Sequence, residues 1–358
     1  YGVDLKEREE FTFSPVNFGV VLHAVIREVC DEIKKNGESY YLISEEKRRE
    51  MVKRSVAAIT DIYQNSILKD SSRNSFMIKR MEDLADRTIW AMGEQLKCGD
   101  FVPFVFEHKF NMEVGDGDRK QLMSGTIDRV DICENDTDVY VRIIDYKTGK
   151  KDFNIVKTYY GIDIQLMVYM EAAMKLVAKM RPGKNVIPAG VFYYNISDPI
   201  VSATTESAEE IEDKIKGELR LKGMVNSDKD IAEKMDNTEG TSLNIPVSRK
   251  ADGGFDSRRS KVMNTEQFNM LGRFVDVRAV DTADRIAGGD IRRSPYKDGQ
   301  FSSCDRCPYG AVCGFSVDLP GCNYRKLKKF DDEILWNNIK EGVDENGKKM
   351  DTGAEERD

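Results

Sequence analysis

"GTIDRVDICENDTDVYVRIIDYKTGKK", residues 125–151, decides the fold. Two runs rich in branched apolar residues flank a polar turn, which reads as a β-hairpin. A simple antiparallel register closed at Asp136 and Thr137 opposes Asp128 to Asp145, with Cα atoms roughly 4.5–5.5 Å apart. Alternation puts Asp145 and Lys147 on the face of Val139, Val141 and Ile143, and Asp128 on the face of Thr126, Val130 and Ile132. Opposed like charges destabilise a sheet, and burial beside apolar groups adds to the cost. A sequence keeps such a pair when a cation sits between the carboxylates, and two carboxylates suit Mg²⁺ or Mn²⁺. Lys147 points at the same place, where an ammonium can hold or deprotonate an attacking water and offset charge building on a phosphate. The competing reading is an Asp–Lys surface face of a half-exposed sheet, and spacing alone does not separate the two.

Outward from the hairpin, the periodicity predicts an α/β chain. "SPVNFGVVLHAVIREVCDEIKKN" opens on Ser14 and Pro15, a helix start, and carries Phe18, Val21, Leu22, Val25, Ile26 and Val29 on one stripe. Residues 45–97 are largely helical by the same test. "FVPFVFEHKF", "LMSGTIDRVDI" and "VYVRIIDYK" are β-like, 157–180 is helical, and "IPAGVFYYNI" is another strand. The expected domains are an α-rich lobe over 1–100, a core of mixed sheet flanked by helices over 101–204, a charged helical insertion over 205–292 with a mobile loop at 237–262, a cysteine segment over 293–330, and a C-terminal helix with a disordered tail over 331–358.

The chain has 358 residues and a net charge of −8, with 40% hydrophobic and 33% charged residues, as expected of a globular protein with a well-charged surface. The acidic balance argues against a uniformly basic nucleic-acid binder but leaves room for a local basic groove, for which Lys150 and Lys151 are candidates. No apolar run long enough to span a membrane and no signal peptide is expected, and a first residue other than methionine suggests a piece of something longer. No G-x-x-x-x-G-K-[ST] is present, so no P-loop ATP hydrolysis is expected of this chain. Of 7 cysteines, Cys30, Cys98 and Cys133 are scattered among apolar residues and read as core thiols. Cys304, Cys307 and Cys313, with Cys322 beyond, form a short cluster. That spacing points to metal binding in a reducing cytoplasm, with zinc and iron–sulfur both satisfying the chemistry.

"GTIDRVDI" followed by "VRIIDYKTGKK" resembles the PD-(D/E)XK nuclease signature, with Asp128 first and Asp145, Tyr146 and Lys147 as its D-x-K part. "GIDIQLMVYMEAA" supplies Gln165 and Tyr169, the Q-x-x-x-Y of the RecB-like branch, one turn apart on a helix. "FGVVLHAVIRE" resembles that branch's glycine-to-histidine helix and supplies His23. "PAGVFYYNISDP", "GDIRRSPYKDG" and "CDRCPYGAVCGF" are similar to the AddB-type C-terminal nuclease domain, and the likeness runs from "YGVDLKEREEF" to about Lys329.

The resemblance implies a Mg²⁺ or Mn²⁺ site made by His23, Asp128, Asp145 and the carbonyl of Tyr146, with Lys147 as catalytic lysine. Gln165 and Tyr169 would position the lysine or DNA, or simply pack. Glu107 sits where the fold often has a first acidic residue, as an outer or second-metal group. The implied activity is a DNA exonuclease, acting on the 5′-ended strand in double-strand break repair beside an AddA-type helicase–nuclease subunit in the cytoplasm. A 4Fe-4S cluster is implied at Cys304, Cys307 and Cys313. Its first cysteine in the family lies before the "YG" stretch, upstream of Tyr1, and Cys322 is the alternative fourth ligand. The alternatives are a catalytically silent DNA-binding scaffold and a free-standing RecB-like nuclease.

Overall fold

A computed structural model describes residues 15–62, 72–114, 121–202, 205–305 and 307–355. Ser14 and the "YGVDLKEREEF" stretch lie outside them. Three long helices come first: α1 (Pro15–Lys35), α2 (Glu45–Ile62) and α3 (Ser72–Lys97). Phe18, Val21, Leu22, Val25, Ile26, Val29 and Ile33 are buried along α1, so the expected stripe is the face it turns inward, onto α2 and α3.

The central sheet of the described residues runs in the order β1 (Val102–Val114), β2 (Gln121–Glu134), β3 (Asp138–Lys147), β4 (Asn185–Asn195), β5 (Lys222–Asn226) and β6 (Val262–Met263). The hairpin closes as the turn chemistry demands. Asn135 Oδ1 accepts from the amides of Thr137 and Asp138 at 2.9 and 2.7 Å. The ladder pairs Arg129 with Ile144, Asp131 with Arg142 and Glu134 with Val139, which is the register expected from the sequence. The ladder begins one step short of Asp128 and Asp145, and at that end the Tyr146 amide donates to the Asp128 side chain. β3 and β4 are parallel, joined through α4 (Ile155–Tyr159) and α5 (Gln165–Met180), with Asp145 beside Tyr193 and Lys147 beside Asn195. The helix expected over 157–180 is thus broken between Tyr160 and Ile164. One buried cluster joins α1, α2 and α3 to Tyr140, Ile144 and Tyr146 of β3 and Phe192 and Tyr194 of β4. Val139, Val141 and Ile143 are buried on the opposite face of the sheet.

The region expected to be a helical insertion contributes to this sheet. After α6 (Ala208–Glu218), which opens on a Ser207–Glu210 capping box, "KGMVN" forms β5 and pairs antiparallel with β4. Gly223 makes this possible, because a Cβ there would lie 1.9 Å from the carbonyl oxygen of Val191. α7 (Lys229–Met235) follows, and β6 then pairs parallel with β5.

Residues 237–262, expected to be a mobile loop, are irregular but tied down. Buried Asp236 accepts from Ser242 Oγ at 2.7 Å and Asn244 Nδ2 at 3.1 Å. Arg249 donates to the carbonyls of Thr238 and Ala232 at 2.7 and 2.9 Å, and Ile245 and Val247 are buried.

Two compact units emerge, and the second comprises residues 111–124, 154–168 and 269–358. Within it, Tyr159 stacks on Phe274 of α8 (Thr265–Ala287) at 5.5 Å between centroids, and Tyr160 Oη accepts from the amide of Lys328 at 3.0 Å. The cysteine segment is a small sheet of β7 (Tyr296–Asp298), β8 (Phe301–Ser302) and β9 (Arg325–Lys326), with a short α9 (Gly310–Cys313) ending on Gly314 at φ 62°. The last helix, α10 (Asp332–Glu355), continues through residues for which the sequence suggests a disordered tail. No helix among the described residues is long and apolar enough to cross a membrane.

Candidate metal centre

His23 projects from the middle of α1, where its neighbours Leu22 and Ile26 are fully packed and the imidazole is part-buried. Its Nδ1 lies 3.4 Å from Glu107 Oε1 and 3.5 Å from Asp128 Oδ1. Among the described residues these three are the group that can offer one ligand atom each, with the atoms all within 4.8 Å of one another. Burial by itself lowers the pKa of His23, but the carboxylates of Asp128 and Glu107 outweigh it and hold the imidazole protonated up to about 10. A proton therefore occupies the place that a divalent ion would take.

Glu107 reaches this group through a backbone exception. It is the non-glycine residue of the described chain with positive φ, at 47°, inside β1. The left-handed region costs an ordinary side chain about 1–2 kcal/mol, and such residues gather at functional sites. The kink turns Glu107 to the face where His23 and Asp128 meet.

Asp128 sits near the end of the hairpin ladder, 7% exposed. Its Oδ2 accepts the amide hydrogen of Tyr146 at 2.6 Å, which fixes the carboxylate while Oδ1 faces His23. Asp145 is 1% exposed. Its pKa is raised to about 6, first by burial and then by the charge of Asp128, with Lys147 pulling the other way. The Lys147 ammonium forms an ion pair with Asp145 Oδ2 and lies 5.7 Å from the centroid of the Tyr193 ring.

The set implied by the resemblance was His23, Asp128, Asp145 and Tyr146. The structure brings Glu107 together with His23 and Asp128 in one compact trio, and pairs Asp145 with Lys147. Tyr146 is buried in β3 with its ring edge-on to His23, 5.9 Å between centroids.

Gln165 is the first residue of α5, and Tyr169 follows one turn on. Tyr169 packs edge-on against Phe110, and both rings lie over Gly125, where a Cβ would come 2.8 Å from Phe110. Glycine at the head of "GTID" is therefore a seat for this aromatic pair, three residues before Asp128. In the second unit, Cys304 and Cys313 are partly exposed and Cys307 is exposed; these three and Cys322 are all free thiols. Local backbone turns hold them: Cys307 N donates to Cys304 O at 3.2 Å, Cys313 N to Tyr309 O at 2.8 Å and Cys322 N to Leu319 O at 3.1 Å.

The sequence reading missed the other face of the hairpin. Arg129 binds both oxygens of Asp131, at 2.7 and 2.6 Å, and Arg142 reaches the same carboxylate at 2.9 Å, with all three at most 1% exposed. The register expected from the sequence also opposes Asp131 to Arg142, as observed, so the signal was present.

The PD-(D/E)XK nuclease superfamily model matches residues 1–314. The chain belongs to the PD-(D/E)XK nuclease superfamily. A mixed sheet flanked by helices is the fold that membership implies, and it is the fold observed. The chain is 34% identical, over 99% of its length, to an ATP-dependent helicase/deoxyribonuclease subunit of Lachnoclostridium phytofermentans. It is 34% identical over its whole length to the corresponding subunit of Caldanaerobacter subterraneus subsp. tengcongensis, and 33% identical over 97% to that of Clostridium acetobutylicum. The chain spans 31% of the length of each of these relatives. They are of the AddB type whose nuclease domain the motifs resemble.

The donors fit the divalent ion that the superfamily implies. One imidazole with two carboxylates, and a third carboxylate beside them, is an oxygen-rich set for a hard cation. Asp128 and Glu107 raise the pKa of His23, and burial followed by the charge of Asp128 raises that of Asp145, so titratable groups with perturbed pKa values gather at this one place.

Proposed function

We propose that this chain is a Mg²⁺- or Mn²⁺-dependent deoxyribonuclease domain that hydrolyses phosphodiester bonds from DNA ends. The observation that carries the reading is the convergence of His23, Glu107 and Asp128, with the Asp145–Lys147 pair at the neighbouring position. His23, Glu107, Asp128 and Asp145 would hold the ion. When bound, the ion supplies Lewis-acid chemistry, polarising a phosphoryl oxygen and lowering the pKa of water. Asp128 is held for that task by the Tyr146 amide. Lys147, kept near the site by Asp145, orients the attacking water and places an ammonium beside the charge that develops on the phosphate. The carbonyl of Tyr146 and the side chains of Gln165 and Tyr169 are assigned supporting roles, as ligand and as positioning groups.

Within the longer proteins it resembles, the domain would act on the 5′-ended strand alongside an AddA-type partner, in double-strand break processing in the cytoplasm. Cys304, Cys307 and Cys313 would supply thiolates to a 4Fe-4S cluster that ties chain segments together, with a fourth ligand from Cys322 or from an upstream cysteine.

The test is incubation of the 358-residue chain with end-labelled linear DNA and Mn²⁺. Degradation from the ends, stopped by chelator and absent in Asp145→Ala, is the expected result. Cleavage that ignores chelator, or full activity in Asp145→Ala, overturns the reading.

A further inference from the structure

The first unit carries a cleft of about 760 Å³ lined by the start of α3, the first turns of α1, and the loops that follow β3 and β4. This is within the roughly 300–1,000 Å³ range of ligand sites. Its floor is apolar, from the buried Phe18, Leu84 and Ile196. Its walls bring Arg73, Lys79, Arg80 and Lys150 together against two acidic groups, Asp83 and Asp198. Both acids are already engaged, Asp83 with Lys79 at 3.0 Å and Asp198 with Arg87 at 3.1 Å. Among the described residues Arg73, Arg80 and Lys150 make no ion pair. In a chain of net charge −8 this concentration of uncompensated cations is local and one-sided. At its rim stands Phe76, 64% exposed, an aromatic face with water on it.

The cleft adjoins the candidate metal centre along the chain at two places. Thr148, Gly149 and Lys150 line it and directly follow Lys147. Phe18 lines it on the same helix as His23, five residues away, about 7.5 Å along the axis.

We propose that this cleft binds the single DNA strand flanking the scissile phosphate, with Arg73, Arg80 and Lys150 on its backbone and Phe76 stacked on a base. Cations that track a backbone, together with an exposed ring for any base, are how proteins hold single strands without reading sequence. The cleft has the volume of a small-ligand site, which suits a few nucleotides of one strand and not a duplex. The inference rests on the nuclease reading for its neighbour, the metal centre, but is tested without cleavage.

The experiment is fluorescence anisotropy with a labelled oligothymidylate and with a duplex of equal length, in Ca²⁺ across a salt series. The chains compared are wild type, Arg73→Glu/Arg80→Glu, Phe76→Ala, and the control Lys175→Glu/Lys179→Glu on α5. Mn²⁺ binding and thermal unfolding check that each variant is folded. Wild type should prefer the single strand. The Arg73/Arg80 variant should lose at least tenfold in affinity and flatten the salt slope by about two ions. Phe76→Ala should lose roughly five- to hundredfold, and the control should bind as wild type does. Unchanged single-strand affinity in both folded cleft variants, losses no larger than those of the control, or preference for duplex in wild type overturns the proposal. Those results would leave metal-dependent cleavage by wild type untouched. Loss of cleavage with cleft binding intact would instead sink the nuclease reading alone.

Discussion

The two faces of the β2–β3 hairpin carry similar charges and treat them in opposite ways. On one face Asp131 is gripped by Arg129 and Arg142, so a buried carboxylate is satisfied three times over by the protein itself. On the other, Asp128 and Asp145 stand together with Glu107 nearby, and among the described residues the Tyr146 amide, His23 and Lys147 answer them. The electrostatics follow the partners. The arginines pull the pKa of Asp131 down in spite of complete burial, whereas Asp145, buried beside a like charge, is pushed up to about 6. One face is closed by its own arginines, and on the proposed reading the other takes a divalent ion. A buried carboxylate is thus a structural or a functional feature according to what faces it.

The largest effect should come from opening the closed face or emptying the open one. Asp145→Ala is expected to abolish Mn²⁺-dependent cleavage while leaving the unfolding midpoint in denaturant equal or higher, since it removes like-charge repulsion; a fall in stability would show that Asp145 is structural. Asp131→Asn leaves two buried guanidiniums short of their anion and should cost about 3–5 kcal/mol in a denaturant titration. A cost within experimental scatter would dissolve the contrast between the faces. Lys147→Ala should slow cleavage about 100- to 1,000-fold, the size of one lost transition-state contact. A rate equal to wild type in single-turnover assays would remove the lysine from the chemistry.

Proton linkage sharpens the same contrast. His23 is held protonated up to about 10, so at pH 7.5 an ion binding in its place must displace that proton. Calorimetry in two buffers of different ionisation heat should report about one proton released per Mn²⁺, and His23→Asn should release none. In the ion-free protein the sign is set by the raised pKa: His23 adds stability fully below its unfolded value near 6.5, lost as pH rises through about 10. The smallest effect concerns Glu107. Glu107→Gly relieves the left-handed backbone and should stabilise the ion-free chain by about 1 kcal/mol while weakening Mn²⁺ binding.

Much of the open face was legible because it obeys period-two alternation and a short polar turn. Those two rules place Asp128 against Asp145, and the α1 stripe places His23 on a core helix. Glu107 was legible only as an outer group, since its part depends on a single φ value that strand patterning does not encode. The Arg129–Asp131–Arg142 set followed from the same register and went unread because charged residues at alternate positions look like a solvated edge. β5 was hidden between two charged helices, in five residues too short to show a period. Residues 237–262 owe their order to Asp236 and Arg249 binding side chains and carbonyls, a kind of order with no periodic signature. The α10 extension lacks the large apolar stripe by which helices are read.

The central claim is that the open face is a cation site. Anomalous diffraction from crystals grown with Mn²⁺ tests it most directly. The account predicts one strong peak coordinated by His23, Glu107 and Asp128, with Asp145 adjoining it. A crystal in which Mn²⁺ sits only on exposed carboxylates, with His23 still bridging Glu107 and Asp128, would contradict it.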